Sequence, residues 1–319
     1  MHFVIMGAGA LGILLAAHLS RTGHEVQLIA RGARARALAE AGLEVRGLTA
    51  FRARCAITDD PASPAQTDVF INTVKTHDSA QALASLTRLQ PRVAFSVQNG
   101  VVKEAELIER FGAAAVLGAM ADFSGELEDD DAVLFTRNIN LHLGELDGSP
   151  SARATEIAAA IHAAGINARV ATDIQSVIWS KFTGWVALFL MSVLTRRYTG
   201  QYLRDPDVAL VVAQIVRETA LLPQSLGIPL QDISPMPVLG ITGDTEQEAV
   251  ARVISVGERM HANAPLHRLS ALQDLLRGKR LELDQTIGYA CREGARLGLA
   301  QPVLNTCHRI AAGINRGLG

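Results

Sequence analysis

The segment Gly7-Ala8-Gly9-Ala10-Leu11-Gly12 constrains what this chain can fold into more than any other. It follows the apolar run His2–Met6 and opens an alanine- and leucine-rich run, Ala10–Thr22, whose apolar residues recur at helical spacing. Glycines placed in this way between a strand and a helix have separate tasks. Gly7 makes the tight turn, Gly9 lets a pyrophosphate approach the backbone, and Gly12 lets the helix pack closely on the sheet. The helix start adds N–H groups and the positive end of its dipole. Gly7, Ala8, Gly9, Ala10, Leu11 and Gly12 are therefore expected to bind a dinucleotide.

The rest of the first half continues the alternation. Strands are expected at Glu25–Ala30, Val69–Thr73, Val93–Val97 and Ala115–Gly118, with a helix over Ala33–Ala41 that ends at Gly42. Asn138–Leu143, Ser151–Ala164 and Asn167–Val170 then suggest a strand, a helix and a last strand. From about Ile174 the strand signal ends, and helical runs follow at Ile174–Leu194, Val208–Leu226, Gln247–Val256, Leu283–Leu297 and Pro302–Ile314. Pro229, Pro235, Pro237 and Gly240 mark a loop between two of them. The fold class expected is α/β, with an N-terminal Rossmann-type parallel-sheet domain over residues 1–172 and an all-helical domain over residues 173–319.

A chain of 319 residues has room for both. Lys and Arg total 30 against 32 Asp and Glu, a formal charge of −2, which excludes the broad basic surface that nucleic acid or anionic lipid would need. The partner is expected to be a small molecule. The most apolar stretch, Trp185–Leu194, falls short of the roughly 20 residues of a membrane span and is expected to be a buried helix. Cys55, Cys291 and Cys307 form no CxxC pair, and no basic leader precedes Gly7, so a cytoplasmic location is expected. The histidines are scattered, with no HExxH and no Cys/His cluster, so no metal site is expected. The acidic run Glu126–Asp131 is expected to be a solvated turn. No GxSxG elbow supports hydrolysis. A homodimer stays open, because apolar helices serve cores and interfaces alike.

The end of the second strand selects the dinucleotide. A site for NAD presents Asp or Glu there, but this chain reads Leu28-Ile29-Ala30-Arg31-Gly32, with Arg34 and Arg36 beyond. A guanidinium matches a 2′-phosphate bidentately, whereas a carboxylate would repel it. Arg31 is therefore expected to favour NADPH/NADP.

Several further segments fall in one order along the chain. They are Val74-Lys75, Val97-Gln98-Asn99-Gly100-Val101, Trp179-x-Lys181-Phe182, Leu194-Thr195-Arg196, and Ser270-x-x-Gln273-Asp274 followed by Leu281-Glu282-Leu283-Asp284. Together they resemble the ketopantoate reductase (2-dehydropantoate 2-reductase) family over nearly the whole chain. That resemblance implies NADPH-dependent reduction of a 2-oxo acid, ketopantoate to pantoate in pantothenate biosynthesis. It implies that Lys181 and Glu282 are catalytic and that Lys75 and Asn99 contact the cofactor. It also implies that Asn99, Lys181 and Ser270 meet the substrate. The chemistry agrees: hydride delivery to a ketone leaves charge on oxygen that needs a proton donor. Lys181 stands among Ile178, Phe182, Trp185 and Leu188, where desolvation would lower its pKa toward a useful value.

One departure concerns the substrate. Pantoate-specific members carry asparagines one and two turns after the lysine, where this chain has Trp185 and Phe189. Residues at those spacings share the lysine's face, so aromatics there remove hydrogen-bond partners and favour a more apolar 2-oxo acid. A different alternative is a regulator that binds NADP(H) without turnover.

Overall fold

The apolar run His2–Met6 forms strand β1, buried after its first residue. A strand buried on both faces belongs in the middle of a parallel sheet. The computed structural model describes residues 1–233 and 236–318, and the chain divides into two units, Met1–Gln175 and Ser176 onward.

In the first unit, β1 is followed by α1 (Ala10–Arg21), β2 (Glu25–Ile29), α2 (Gly32–Ala41), β3 (Leu43–Gly47), β4 (Phe51–Ala53) and β5 (Ala56–Thr58). Next come β6 (Gln66–Asn72), α3 (Thr76–Ser85), β7 (Gln90–Ser96), α4 (Lys103–Phe111), β8 (Gly118–Leu127), β9 (Val133–Gly144), α5 (Ala152–Ala163) and β10 (Ala168–Val170). One sheet is parallel throughout, in the order β5-β2-β1-β6-β7. Met6 pairs with Ile29 on one side and Asn72 on the other, and Asn72 pairs with Ser96. The carboxyl ends of four strands thus share one edge, where open α/β sheets bind ligands. Alternate residues face opposite cores. Phe3, Ile5, Ile71 and Phe95 pack with Leu14 of α1 and Ile157 of α5, whereas Val4, Met6, Phe70 and Ala94 pack with Leu83 of α3 and Leu107 of α4.

A second sheet runs β10-β9-β3-β4, with β8 antiparallel to β9. It corrects the expected strand at Ala115–Gly118. Ala113–Ala115 is a 3-10 turn, Val116 makes only a bridge to Ala94, and Gly118 instead begins β8 of the second sheet. The acidic run Glu126–Asp131 lies in and beside the β8–β9 turn, but it is not merely solvated. Arg46 pairs with Glu128 at 2.7 Å and with Asp130 at 2.8 Å, and Arg34 pairs with Asp131.

The second unit holds the rest of α6 (Ile174–Thr195), then α7 (Thr199–Leu203), α8 (Pro206–Ser225), α9 (Val238–Gly243), α10 (Glu246–Asn263), α11 (Ser270–Leu276), α12 (Ile287–Arg296) and α13 (Pro302–Arg316). No strand occurs among its described residues. Two of its helix starts, those of α8 and α10, are capped by side chains: Asp205 accepts from the N–H groups of Asp207 and Val208, and Thr245 forms a capping box with Glu248. The helix expected from Leu283 begins only at Ile287. The stretch before it is extended or turned, with Thr286 at φ −112° and ψ −92° as the residue that precedes the helix, and its hydroxyl donates back to the carbonyl of Glu282. Pro235, expected in the loop before α9, lies outside the described residues. Helix α6 is longer than its most apolar stretch suggests. By length and composition it could cross a membrane, but most of it is buried within the protein.

Candidate functional site

The glycine loop between β1 and α1 is shaped by contacts that no side chain could tolerate. Gly7 has φ +108°, and a Cβ there would come within 2.9 Å of Thr73 Oγ1 and 3.0 Å of Val74 N. A Cβ on Gly12 would lie 1.9 Å from the carbonyl oxygen of Gly7. A Cβ on Gly9 would meet nothing within 4 Å. The first and last glycines are therefore consumed by packing, while the second faces open space beside the N-terminus of α1. The first turn of α1 carries no acidic residue. Backbone N–H groups with open approach and no nearby carboxylate on that turn fit a pyrophosphate.

Two neighbours steady this loop without having been marked by its motif. Thr73 donates its hydroxyl to the carbonyls of Met6 at 3.0 Å and Gly7 at 2.8 Å. Arg34 donates Nε–H to the carbonyl of Ala8 at 2.7 Å. The signal for Thr73 was its place at the end of an apolar strand just before Val74-Lys75. Arg34 had only its nearness to Arg31.

The other expected cofactor residues of this unit lie on the same sheet edge. Arg31 caps the start of α2 beyond β2, its side chain 76% exposed, with Nη2 2.8 Å from Asp78 Oδ2. Lys75, half-buried, stands immediately before α3, and Asn99, also half-buried, follows β7 beside Gly100 at φ +95°. The edge therefore gathers Gly7 to Gly12, Arg31, Lys75 and Asn99.

Lys181, Ser270 and Glu282 belong to the second unit, on three separate segments. Lys181 is half-buried on α6, and Ile178, Phe182, Trp185 and Leu188 around it are 4%, 2%, 9% and 6% exposed. The rings of Phe182 and Trp185 stack with centroids 6.4 Å apart, and those of Trp185 and Phe189 are 5.1 Å apart. Glu282 is 7% exposed, in the bend that precedes α12. A carboxylate so buried requires polar or charged company. Ser270, the first residue of α11, is exposed. Among the described residues, no group of three or more His, Cys, Asp or Glu side chains is placed to hold a metal ion.

Known proteins match this chain over nearly its whole length. The family model for ketopantoate reductase PanE/ApbA matches residues 3–148, and that for the C-terminal part of ketopantoate reductase PanE/ApbA matches residues 173–315. The chain is 29% identical over 314 residues to the 2-dehydropantoate 2-reductase of Archaeoglobus fulgidus, covering 98% of each. Among solved structures it is similar to a PanE/ApbA family ketopantoate reductase from Ralstonia eutropha, with TM-score 0.82, 25% identity and 99% of each chain covered. It also shares its fold with D-mandelate dehydrogenase bound to NADH and anilino(oxo)acetate, with TM-score 0.86 at 21% identity, covering 100% of this chain and 99% of that one. With both units matched, the chain belongs to the ketopantoate reductase family of NADP-dependent oxidoreductases acting on the CH–OH/C=O pair.

Proposed function

We propose that this protein reduces a 2-oxo acid to its 2-hydroxy acid with NADPH. Residues 1–172 hold the dinucleotide, and residues 173–319 supply the substrate and proton-transfer groups. Ketopantoate is the substrate suggested by the relatives' names, and with it we propose a step of pantothenate biosynthesis in the cytoplasm. A more apolar 2-oxo acid is favoured by the packed rings of Trp185 and Phe189, which replace amide donors one and two turns beyond Lys181. The observation that carries the reading is Lys181, half-buried among apolar side chains, in a chain whose Gly9 leaves room for a pyrophosphate.

When bound, NADPH supplies the hydride for the ketone carbon. The Lys181 ammonium polarises the ketone oxygen and donates the proton that neutralises it. Glu282 helps to keep that ammonium charged and oriented. Ser270 hydrogen-bonds the substrate carboxylate. Lys75 and Asn99 orient the cofactor, and Asn99 also lines the reaction site. Arg31 takes the 2′-phosphate, exchanging Asp78 for it. That exchange costs little because the Arg31–Asp78 pair is exposed.

The test is NADPH oxidation against a panel of ketopantoate and 2-oxo acids with aliphatic or aromatic side chains. Turnover is expected on at least one, with kcat/KM higher for an apolar member than for ketopantoate. NADPH binding without turnover on any of them would favour the regulator and sink the enzymatic reading. In parallel, NADPH should bind at least about tenfold tighter than NADH, about 1.4 kcal/mol, and Arg31→Ala should erase most of that gap. Equal titration curves for both cofactors with the unaltered protein would refute the role of Arg31.

A further inference from the structure

The two strand ends that carry Lys75 and Asn99 are joined by a buried polar network. Asn72, Ser79 and Ser96 are fully buried and Gln98 is 9% exposed. Asn72 closes the β6 end on itself: its Oδ1 accepts the N–H of Val74 at 3.2 Å, and its Nδ2 donates to Ser79 Oγ at 3.0 Å. Ser96, on the next strand, donates to Gln98 Oε1 at 2.8 Å and accepts the N–H of Gln98 at 3.2 Å. Gln98 then reaches back across the sheet edge, its Nε2 donating to the carbonyl of Val74 at 2.6 Å. That bond runs from the residue before Asn99 to the residue before Lys75. The far side of the Asn99 loop is held by Lys103, 4% exposed, which donates to the carbonyl of Gly100 at 3.1 Å and pairs with Glu104 at 3.0 Å.

We propose that Gln98 is a positioning residue that sets the spacing of the Lys75 turn and the Asn99 loop, so that both meet one cofactor. The inference rests on the proposed function, which gives Lys75 and Asn99 their roles. A side-chain amide suits the task because it accepts from Ser96 and donates to Val74 at the same time. A buried carbonyl left without its donor costs enough to let the two loops drift. An apolar side chain of similar length keeps the volume but loses both bonds.

The test is a double-mutant cycle with Gln98→Met and Lys75→Ala, read as the NADPH dissociation constant and as kcat. Gln98→Met alone should raise the dissociation constant about tenfold and lower kcat by a similar factor. In the Lys75→Ala background the same change should raise the dissociation constant by no more than about threefold, because the partner it positions is already gone. Equal penalties in both backgrounds would overturn the inference and leave Gln98 a general structural residue. Unaltered affinity and turnover in Lys75→Ala alone would instead overturn the reading beneath it. If Gln98→Met does not fold, Gln98→Glu keeps the shape. Its protonated form can donate to Val74, so its kcat relative to the unaltered protein should rise as pH falls, and a parallel pH profile would refute the role.

Discussion

Replacing Lys181 with Ala is expected to lower kcat by on the order of 10²-fold or more, the range of a lost general acid, while the NADPH dissociation constant stays nearly unchanged. A loss of that size corresponds to about 2.7 kcal/mol of transition-state stabilisation. The separation follows from where the groups lie. The glycine loop and Arg31 belong to the first unit, and Lys181 belongs to α6 in the second. Lys181 is itself only half-buried, so truncation there removes the charge and part of the stem rather than a fully buried core side chain. Steady-state kinetics on the best substrate of the panel, with NADPH titrated by fluorescence, measures both quantities. A variant that lost NADPH affinity and kept its turnover number would move Lys181 to the cofactor site, with Lys75 the next candidate for the acid.

Gly12→Ala and Gly9→Ala should fail in different ways. At Gly12 the added Cβ would lie 1.9 Å from the Gly7 carbonyl oxygen and 2.6 Å from Thr73 Oγ1. Since the nearer obstacle is backbone, no rotamer change relieves it, and the overpacking should cost about 1–3 kcal/mol of stability or more. The shift of the loop should also abolish measurable NADPH binding. At Gly9 the Cβ meets no protein atom within 4 Å, so the protein without cofactor should keep its stability within about 0.5 kcal/mol. NADPH affinity should nevertheless fall, because the methyl occupies the approach of the pyrophosphate. Denaturant unfolding with and without NADPH distinguishes the two. Unchanged stability in Gly12→Ala would contradict the packing role, and unchanged affinity in Gly9→Ala would contradict the phosphate role.

The parallel sheet and the dinucleotide loop are legible in the amino-acid sequence alone. Strands β1 and β6 are buried on both faces over residues 3–6 and 69–71 and so carry unbroken apolar runs there, while the glycine, lysine and asparagine-glycine turns follow such strands within a few residues. The all-helical character of the second unit was legible for a related reason, since long runs with helical periodicity and capping residues are local signals. Tertiary structure decided the second sheet. Its strand β3 alternates buried and half-buried residues over Leu43–Val45 and pairs with Val133–Phe135, a partner no local pattern announces. The acidic run Glu126–Asp131 reads as solvated in the sequence alone, because its partners Arg34 and Arg46 come from elements remote in the chain. The same distinction applies to the candidate site. Lys75 and Asn99 could each be named from a short motif, but the hydrogen bond from Gln98 to Val74 exists only because β6 and β7 lie side by side. Local propensity marks the elements and their turns, whereas the contacts that hold functional side chains in register are between residues far apart in sequence, and only the packed sheet brings them within hydrogen-bonding distance.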